Sequence, residues 1–168
     1  MTTKTLYVLY AGSDLEVPVA RHTLKALEVL SLYAFGTGER QIDVETIFLD
    51  VEGKDFAIEP ATVIAERAWL VLVFSPNFVL SRVVRDSTMA KIIDDGYGNG
   101  VRVFPVHTLP VPRRAKLPWS HINPIVIDKV GRSWLALSEL ELDAVNVGAP
   151  VANALAKCIE LQLEQEKH

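Results

Sequence analysis

Trp69-Leu70-Val71-Leu72-Val73-Phe74 decides the fold class of this chain, because six apolar residues follow one another without a polar one between them. A β-strand with that pattern is covered on both faces, as in a parallel sheet, whereas a half-exposed strand would alternate. Ser75-Pro76-Asn77 ends the run abruptly. The run therefore predicts a buried strand in the middle of a parallel sheet.

Strand-like and helix-like segments alternate on both sides of this run. The strands are predicted at 6–11, 44–50, 69–74, 101–107 and 125–127, and the helices at 15–33, 61–68, 81–95 and 148–164. Alternation of this kind favours an α/β domain of three layers, in which right-handed crossovers join parallel strands. We therefore expect one domain over residues 1–168, with a five-stranded parallel sheet of the flavodoxin type.

A flavodoxin-like strand order would be 2-1-3-4-5, and the order reverses between the first and third strands. Ligands of such folds bind beyond the carboxyl ends of the strands at that reversal. The loops that would meet there are Gly12-Ser13-Asp14 and Ser75-Pro76-Asn77. Their polar side chains are candidate ligand contacts, but Ser13 or Asp14 can equally cap the next helix, and an asparagine after proline is ordinary in turns.

Composition and charge narrow the function classes. The chain has 168 residues, of which 49% are hydrophobic and 23% charged, so it is neither disordered nor fibrous. The net charge of -4 argues against a general nucleic-acid partner. The longest apolar run is far shorter than the ~20 residues of a membrane span, so no membrane partner is expected. The single cysteine, Cys158, excludes an internal disulfide and favours a cytoplasmic location.

Several common site motifs are missing. No GxGxxG follows the first strand, and no GxxxxGK[ST] or GxSxG occurs. These absences argue against a dinucleotide-binding dehydrogenase, a P-loop nucleotide hydrolase and an α/β-hydrolase. The four histidines are far apart in sequence, without the spacing of metal ligands, so no metal site is predicted.

Three segments, in this order, resemble the Toll/interleukin-1 receptor (TIR) family, including its prokaryotic members. They are Tyr7-Val8-Leu9-Tyr10-Ala11-Gly12-Ser13-Asp14, Phe48-Leu49-Asp50-Val51-Glu52-Gly53 and Ser75-Pro76-Asn77-Phe78-Val79-Leu80-Ser81. The first looks like the opening strand and loop of the family, the second like the strand that enters its long BB loop. The third, an apolar strand followed by S-P-N-F-x-x-S, is the most specific. The resemblance covers about residues 5 to 128.

The resemblance implies two possible functions. Some TIR domains cleave NAD+ between nicotinamide and ribose, and these carry a glutamate in a pattern near S-x-W-x-x-x-E. Here Ser81 begins the pattern, Val83 stands at the tryptophan position and Ser87 at the glutamate position. We therefore expect a catalytically degenerate module of a prokaryotic defence or signalling system. It would need no cofactor, form homo-oligomers, and bind other TIR domains or a separate sensor or effector protein.

Two alternatives stay open. Asp86 has the chemistry that Ser87 lacks, because a carboxylate stabilises the positive charge that develops on the ribose, so NAD+ could be a substrate. One residue on a helix turns a side chain by ~100°, however, and Asp86 would otherwise be a solvated acid in a first helical turn. The second alternative is a domain outside the TIR family that binds a nucleotide signal.

The loop of Gly53, Lys54, Asp55 and Phe56 is a candidate assembly surface, because members of the family use this loop for contacts between TIR domains. The other interpretation is a solvated loop with the Phe56 ring tucked beneath it. Both interpretations are compatible with the sequence.

Overall fold

The computed structural model describes residues 2–33, 35–36, 41–111, 117 and 148–166. Within them lie four β-strands: β1 (Thr2–Tyr10), β2 (Ile42–Asp50), β3 (Trp69–Phe74) and β4 (Arg102–His107). The predicted strand at 125–127 lies outside the described residues. The bounds of β3 are those that the sequence predicts.

The four strands form one parallel sheet in the order β2-β1-β3-β4. Leu6 of β1 is in register with Thr46 of β2 on one side and with Trp69 of β3 on the other, and Trp69 is in register with Arg102 of β4. The α/β class and the parallel sheet are thus confirmed. The order also reverses between β1 and β3, so the loops after these two strands lie side by side at the carboxyl edge of the sheet.

Both faces of the sheet are covered, which explains the unbroken apolar run of β3. Trp69, Val71 and Val73 belong to a core on one face, and Leu70 and Leu72 to a core on the other. Successive residues of a strand point to opposite faces, so a strand buried on both sides needs an apolar residue at every position.

The helices cover the two faces in separate groups. On the first face lie α1 (Pro18–Glu28) and α6 (Gly148–Glu166); on the second lie α2 (Pro60–Ala65), α3 (Pro76–Val79), α4 (Arg82–Arg85) and α5 (Thr88–Gly96). The apolar side chains that α6 buries are those that its spacing predicts, namely Val151, Leu155, Ile159 and Leu163. None of the helices in the described part of the chain has the length and apolar character to cross a membrane.

The first helix begins differently from the prediction. Gly12–Glu16 form a 3₁₀ turn, and α1 starts after it with Pro18 in its first turn, where the missing N–H is harmless. Its N-cap is Val17, and no side chain caps it. The expectation that Ser13 or Asp14 caps this helix is therefore wrong, and both side chains bind elsewhere.

The single helix predicted over 81–95 is interrupted. Ser81 has an extended backbone between α3 and α4, and its Oγ donates 2.6 Å to the carbonyl of Phe78. Ser87, between α4 and α5, has a φ of 67°, in the left-handed region that ends helical geometry. Ser81 precedes α4, where the predicted helix begins, so the interruption of that helix lies at Asp86 and Ser87.

Candidate functional site

Asp14 joins the two loops at the carboxyl edge of the sheet. Its carboxylate is only 2% exposed and accepts two hydrogen bonds from the loop after β3. Ser75 Oγ donates to Asp14 Oδ2, and Asn77 Nδ2 donates to Asp14 Oδ1 over 2.9 Å. Three of the predicted ligand-binding residues are therefore brought together, but they bind one another.

The local sequence explains why the donors stand where they do. Ser75 is the N-cap of α3, with Pro76 at the first helical position, and its Oγ also accepts from the Phe78 N–H over 3.2 Å. The Asp14 side of the contact is fixed by the 3₁₀ turn, in which the Asp14 N–H donates to the Ala11 carbonyl over 3.0 Å. The S-P-N segment is therefore a helix cap and a donor to Asp14 at once.

Gly12 lies against a carboxylate from the neighbouring strand. Its N–H donates 2.7 Å to Asp50 Oδ1, which also accepts from the Glu52 N–H over 2.9 Å. A Cβ on Gly12 would lie 2.8 Å from the Asp50 Cγ, closer than real Cβ contacts come. A glycine is therefore needed at position 12, because only a residue without a Cβ lets the backbone come this close to the Asp50 carboxylate.

Ser13 is bound by Glu52. Both its N–H and its Oγ donate to Glu52 Oε1, over 2.9 Å and 2.6 Å, at an exposed position. The sequence analysis missed the roles of Asp50 and Glu52. A signal existed for Asp50, because it ends β2 and parallel pairing sets it beside Tyr10, two residues before Gly12.

The candidate assembly loop has an inner and an outer part. Gly53 N–H donates to the Asp50 carbonyl over 3.0 Å, and Phe56 N–H to the Gly53 carbonyl over 3.2 Å, which closes a compact turn. Phe56 is half-buried and packs against the core of the second face, whereas Lys54 and Asp55 are exposed. The packed Phe56 ring matches the interpretation as a solvated loop with the ring tucked beneath it. The exposed Lys54 and Asp55 are compatible with an assembly surface as well.

Asp86 and Ser87, the candidates for a catalytic position, lie at the start of α5 and are both exposed. Asp86 Oδ1 accepts from the Thr88 hydroxyl over 2.7 Å and from the Thr88 N–H over 3.2 Å. These two bonds, the hydroxyl first, lower the pKa of the Asp86 carboxyl below its ordinary value. Asp86 thus satisfies an N–H at the start of α5. Its catalytic role stays a prediction.

The arrangement at the carboxyl edge mainly cross-links loops. Asp14 accepts from the loop after β3, and Asp50 accepts from Gly12 in the loop after β1. Asn77 and Ser13 are the exposed donors, to Asp14 and Glu52 respectively. Among residues 2–33, 35–36, 41–111, 117 and 148–166, no three His, Cys, Asp or Glu side chains are grouped as metal ligands would be.

Cys158 of α6 is half-buried, and burial raises the pKa of its thiol. Since the thiolate is the nucleophilic form, a raised pKa makes the side chain a weak nucleophile at neutral pH.

Comparisons of the chain with protein-family models, curated proteins and solved structures give no match.

Proposed function

We propose that the chain is a TIR-like module that acts by assembly in a signalling or defence system, without catalysis of its own. Its partners would be other TIR domains, including copies of itself, or a separate sensor or effector protein. The parallel sheet with the order β2-β1-β3-β4 is the architecture that the resemblance implies, and it supports the proposal.

The observation that carries the proposal is the bonding of Asp14 to Ser75 and Asn77. In an α/β fold, the loops at the reversal of strand order are where a substrate would be bound. Here the buried Asp14 carboxylate of one loop accepts hydrogen bonds from Ser75 and Asn77 of the other. Such a contact holds two loops in one shape, which suits a rigid interaction surface.

The residues at the start of α5 support the same conclusion. Ser87, at the position of the family glutamate, is a neutral hydroxyl, and an uncharged group cannot stabilise an oxocarbenium-like state as a carboxylate does. The adjacent carboxylate of Asp86 is bonded to Thr88. Asp86 therefore contributes to the stability of the start of α5.

Exposed groups close to the Asp14 contact offer a surface for a partner. Leu80 is 67% exposed at the end of α3, three residues after Asn77, and thus on the same side of that helical turn. Lys54 and Asp55 are exposed in the candidate assembly loop. These exposed groups follow β2 and β3 at the carboxyl edge of the sheet and are the candidate contacts for a partner.

The catalytic half of the proposal is tested by NAD+ turnover. The purified chain would be incubated with NAD+ when dilute and again when clustered on beads, and the products separated by chromatography. We expect no nicotinamide release in either state, and none from Ser87→Glu. Release that is lost in Asp86→Ala and kept in Ser87→Ala would overturn the proposal.

The assembly half is tested by sedimentation velocity over a range of protein concentrations. We expect the mean sedimentation coefficient to rise with concentration, and Lys54→Glu to weaken that rise. Lys91→Glu is the matched control, since Lys91 is an exposed lysine on α5 and the charge change is the same. An equal effect of both variants would mean that the loop has no special role.

The second candidate function is cleavage of NAD+ with Asp86 as the carboxylate. The observation in its favour is that Asp86 is an exposed carboxylate one residue before Ser87, and a carboxylate can stabilise the positive charge of a ribosyl cation. The turnover experiment separates the two candidates, because only this one expects Asp86→Ala to abolish nicotinamide release.

A further inference from the structure

Three cationic side chains meet at the amino edge of the sheet, the end opposite to the Asp14 contact. Lys4 lies in β1, Arg67 two residues before β3 and Arg102 at the start of β4. The register pairs Trp69 with Arg102 on one side and with Leu6, two residues after Lys4, on the other. The three cations therefore lie within about two residues of one another along the same edge.

Lys4 is the inner member of this basic cluster. Its Nζ lies 5.0 Å from the centroid of the Trp69 ring, and the side chain is half-buried. Burial lowers the pKa of Lys4, Glu166 at the end of α6 opposes that change, and Arg67 and Arg102 lower the pKa further. Arg67 and Arg102 are therefore close enough to repel the Lys4 ammonium, and Glu166 is close enough to attract it.

Arg67 is the outer member and has an unusual backbone. Its N–H donates to the Ile64 carbonyl, and the Ala68 N–H donates to the Val63 carbonyl, the pattern that ends a helix with a left-handed residue. Glycine is usual at that position, but here an arginine holds a φ of 50°. Its side chain runs along Gly100, where a Cβ would come within 3.1 Å of the Arg67 Cδ.

Arg102 is held in a fixed orientation beside them. Its Nη1 donates to the carbonyls of Tyr97 and Val101, each over 2.9 Å, and its guanidinium lies 5.1 Å from the Tyr97 ring centroid. A guanidinium has five N–H donors, so most of them are not used by these two bonds. Arg102 thus offers oriented donors.

A buried donor at the same edge is also unpaired. Trp69 is completely buried, and its Nε1–H finds no acceptor among the residues that the structure describes. Buried polar groups in native proteins are nearly always hydrogen-bonded. The Trp69 indole thus adds a donor without a described acceptor beside the Lys4 ammonium.

We propose that the cluster of Lys4, Arg67 and Arg102 binds a phosphate group. A phosphate presents several negatively charged oxygens, and arginine and lysine together bind it through charge-assisted hydrogen bonds. This site is separate from the proposed assembly surface, since it lies at the other end of the parallel strands. Failure of one proposal therefore leaves the other intact.

The experiment is isothermal titration of the full chain with inorganic pyrophosphate and, separately, with adenosine diphosphate. We expect saturable binding of both with similar affinity, because the cluster recognises phosphate and provides no described pocket for a base. Binding of adenosine diphosphate without binding of pyrophosphate, or no binding of either, would overturn the proposal.

Two variants locate the site. Arg67→Gly suits the left-handed backbone and is expected to fold, so weaker binding by about tenfold would reflect the loss of the guanidinium. Lys4→Gln should weaken binding to a similar degree. Arg85→Gln, an exposed arginine in α4, is the control and should bind as the unaltered chain does. Equal weakening by Arg85→Gln, or unchanged binding by Arg67→Gly, would refute the site.

Discussion

The two edges of the sheet use their charged residues in opposite ways. At the carboxyl edge, Asp14 accepts two hydrogen bonds from the loop after β3, and Asp50 accepts one from Gly12 and one from its own turn. At the amino edge, Glu166 acts on Lys4, and Arg102 uses only part of its N–H donors on two carbonyls. Carboxylates that accept hydrogen bonds within the fold hold loops in place, whereas cations that keep unused N–H donors are available to a ligand.

The largest expected effect comes from removing the matched carboxylate. Asp14→Ala leaves the buried Ser75 hydroxyl and the Asn77 amide without their acceptor, and should lower the free energy of unfolding by about 3 kcal/mol. Urea unfolding followed by circular dichroism measures this loss. Asp55→Ala, at an exposed position in the same region, should change the free energy by less than about 0.5 kcal/mol. A small loss in Asp14→Ala would mean that the carboxyl edge is not held by this contact.

The second prediction tests the close approach of Gly12 to Asp50. Gly12→Ala would force its Cβ against the Asp50 carboxylate and should lower the free energy of unfolding by about 2 kcal/mol. The matched control is Gly98→Ala, because nothing lies within 4 Å of a Cβ at that glycine. Urea unfolding of both variants provides the comparison, and equal destabilisation would contradict the steric account.

The third prediction concerns the amino edge and has the opposite sign. Arg67→Gly should raise the free energy of unfolding by about 1 kcal/mol, because glycine adopts the left-handed backbone without the clash of a Cβ. Arg85→Gly removes the same side chain from a right-handed helical position and should lower it by up to about 1 kcal/mol. If Arg67→Gly is destabilising, the guanidinium contributes to folding more than its backbone strain costs.

The smallest expected effect is at the start of α5. Asp86→Ala removes the acceptor of the Thr88 N–H and hydroxyl and should lower the melting temperature by about 2 °C. Because the pKa of Asp86 is lower in the folded state, its stabilisation is present above the ordinary value of 3.8 and is lost as the pH falls through the folded value. The difference between variant and unaltered chain should therefore vanish in strong acid. A difference that persists there would assign the effect to something other than the carboxylate.

The parallel sheet could be predicted because its signal is local. An unbroken apolar run such as that of Trp69–Phe74 has only one explanation in terms of strand burial, and the structure gives it the same bounds. The break in the helix predicted over 81–95 could not be predicted in this way. It depends on the left-handed backbone of Ser87, and apolar spacing carries no information on that backbone.

The candidate site was predicted in its members but not in its bonding. The sequence analysis selected Asp14, Ser75 and Asn77 as residues at one edge, and the structure places them there. The bond between Asp50 and Gly12, 38 residues apart, can be inferred only once β1 and β2 are known to pair, because that pairing sets Asp50 beside Tyr10. The basic cluster could not be predicted either, because Lys4, Arg67 and Arg102 are far apart in sequence and only strand pairing brings them to one edge.

The sequence by itself determined that this chain folds as an α/β domain with a parallel sheet, because burial on both faces requires apolar residues at every position of a central strand. Only the tertiary structure decided that Asp14 is a partner for Ser75, 61 residues away, and not a helix cap or a free ligand contact. The physical reason lies in the range of the interactions. Burial leaves a periodic record along the chain, whereas a hydrogen bond between loops depends on strand order and register.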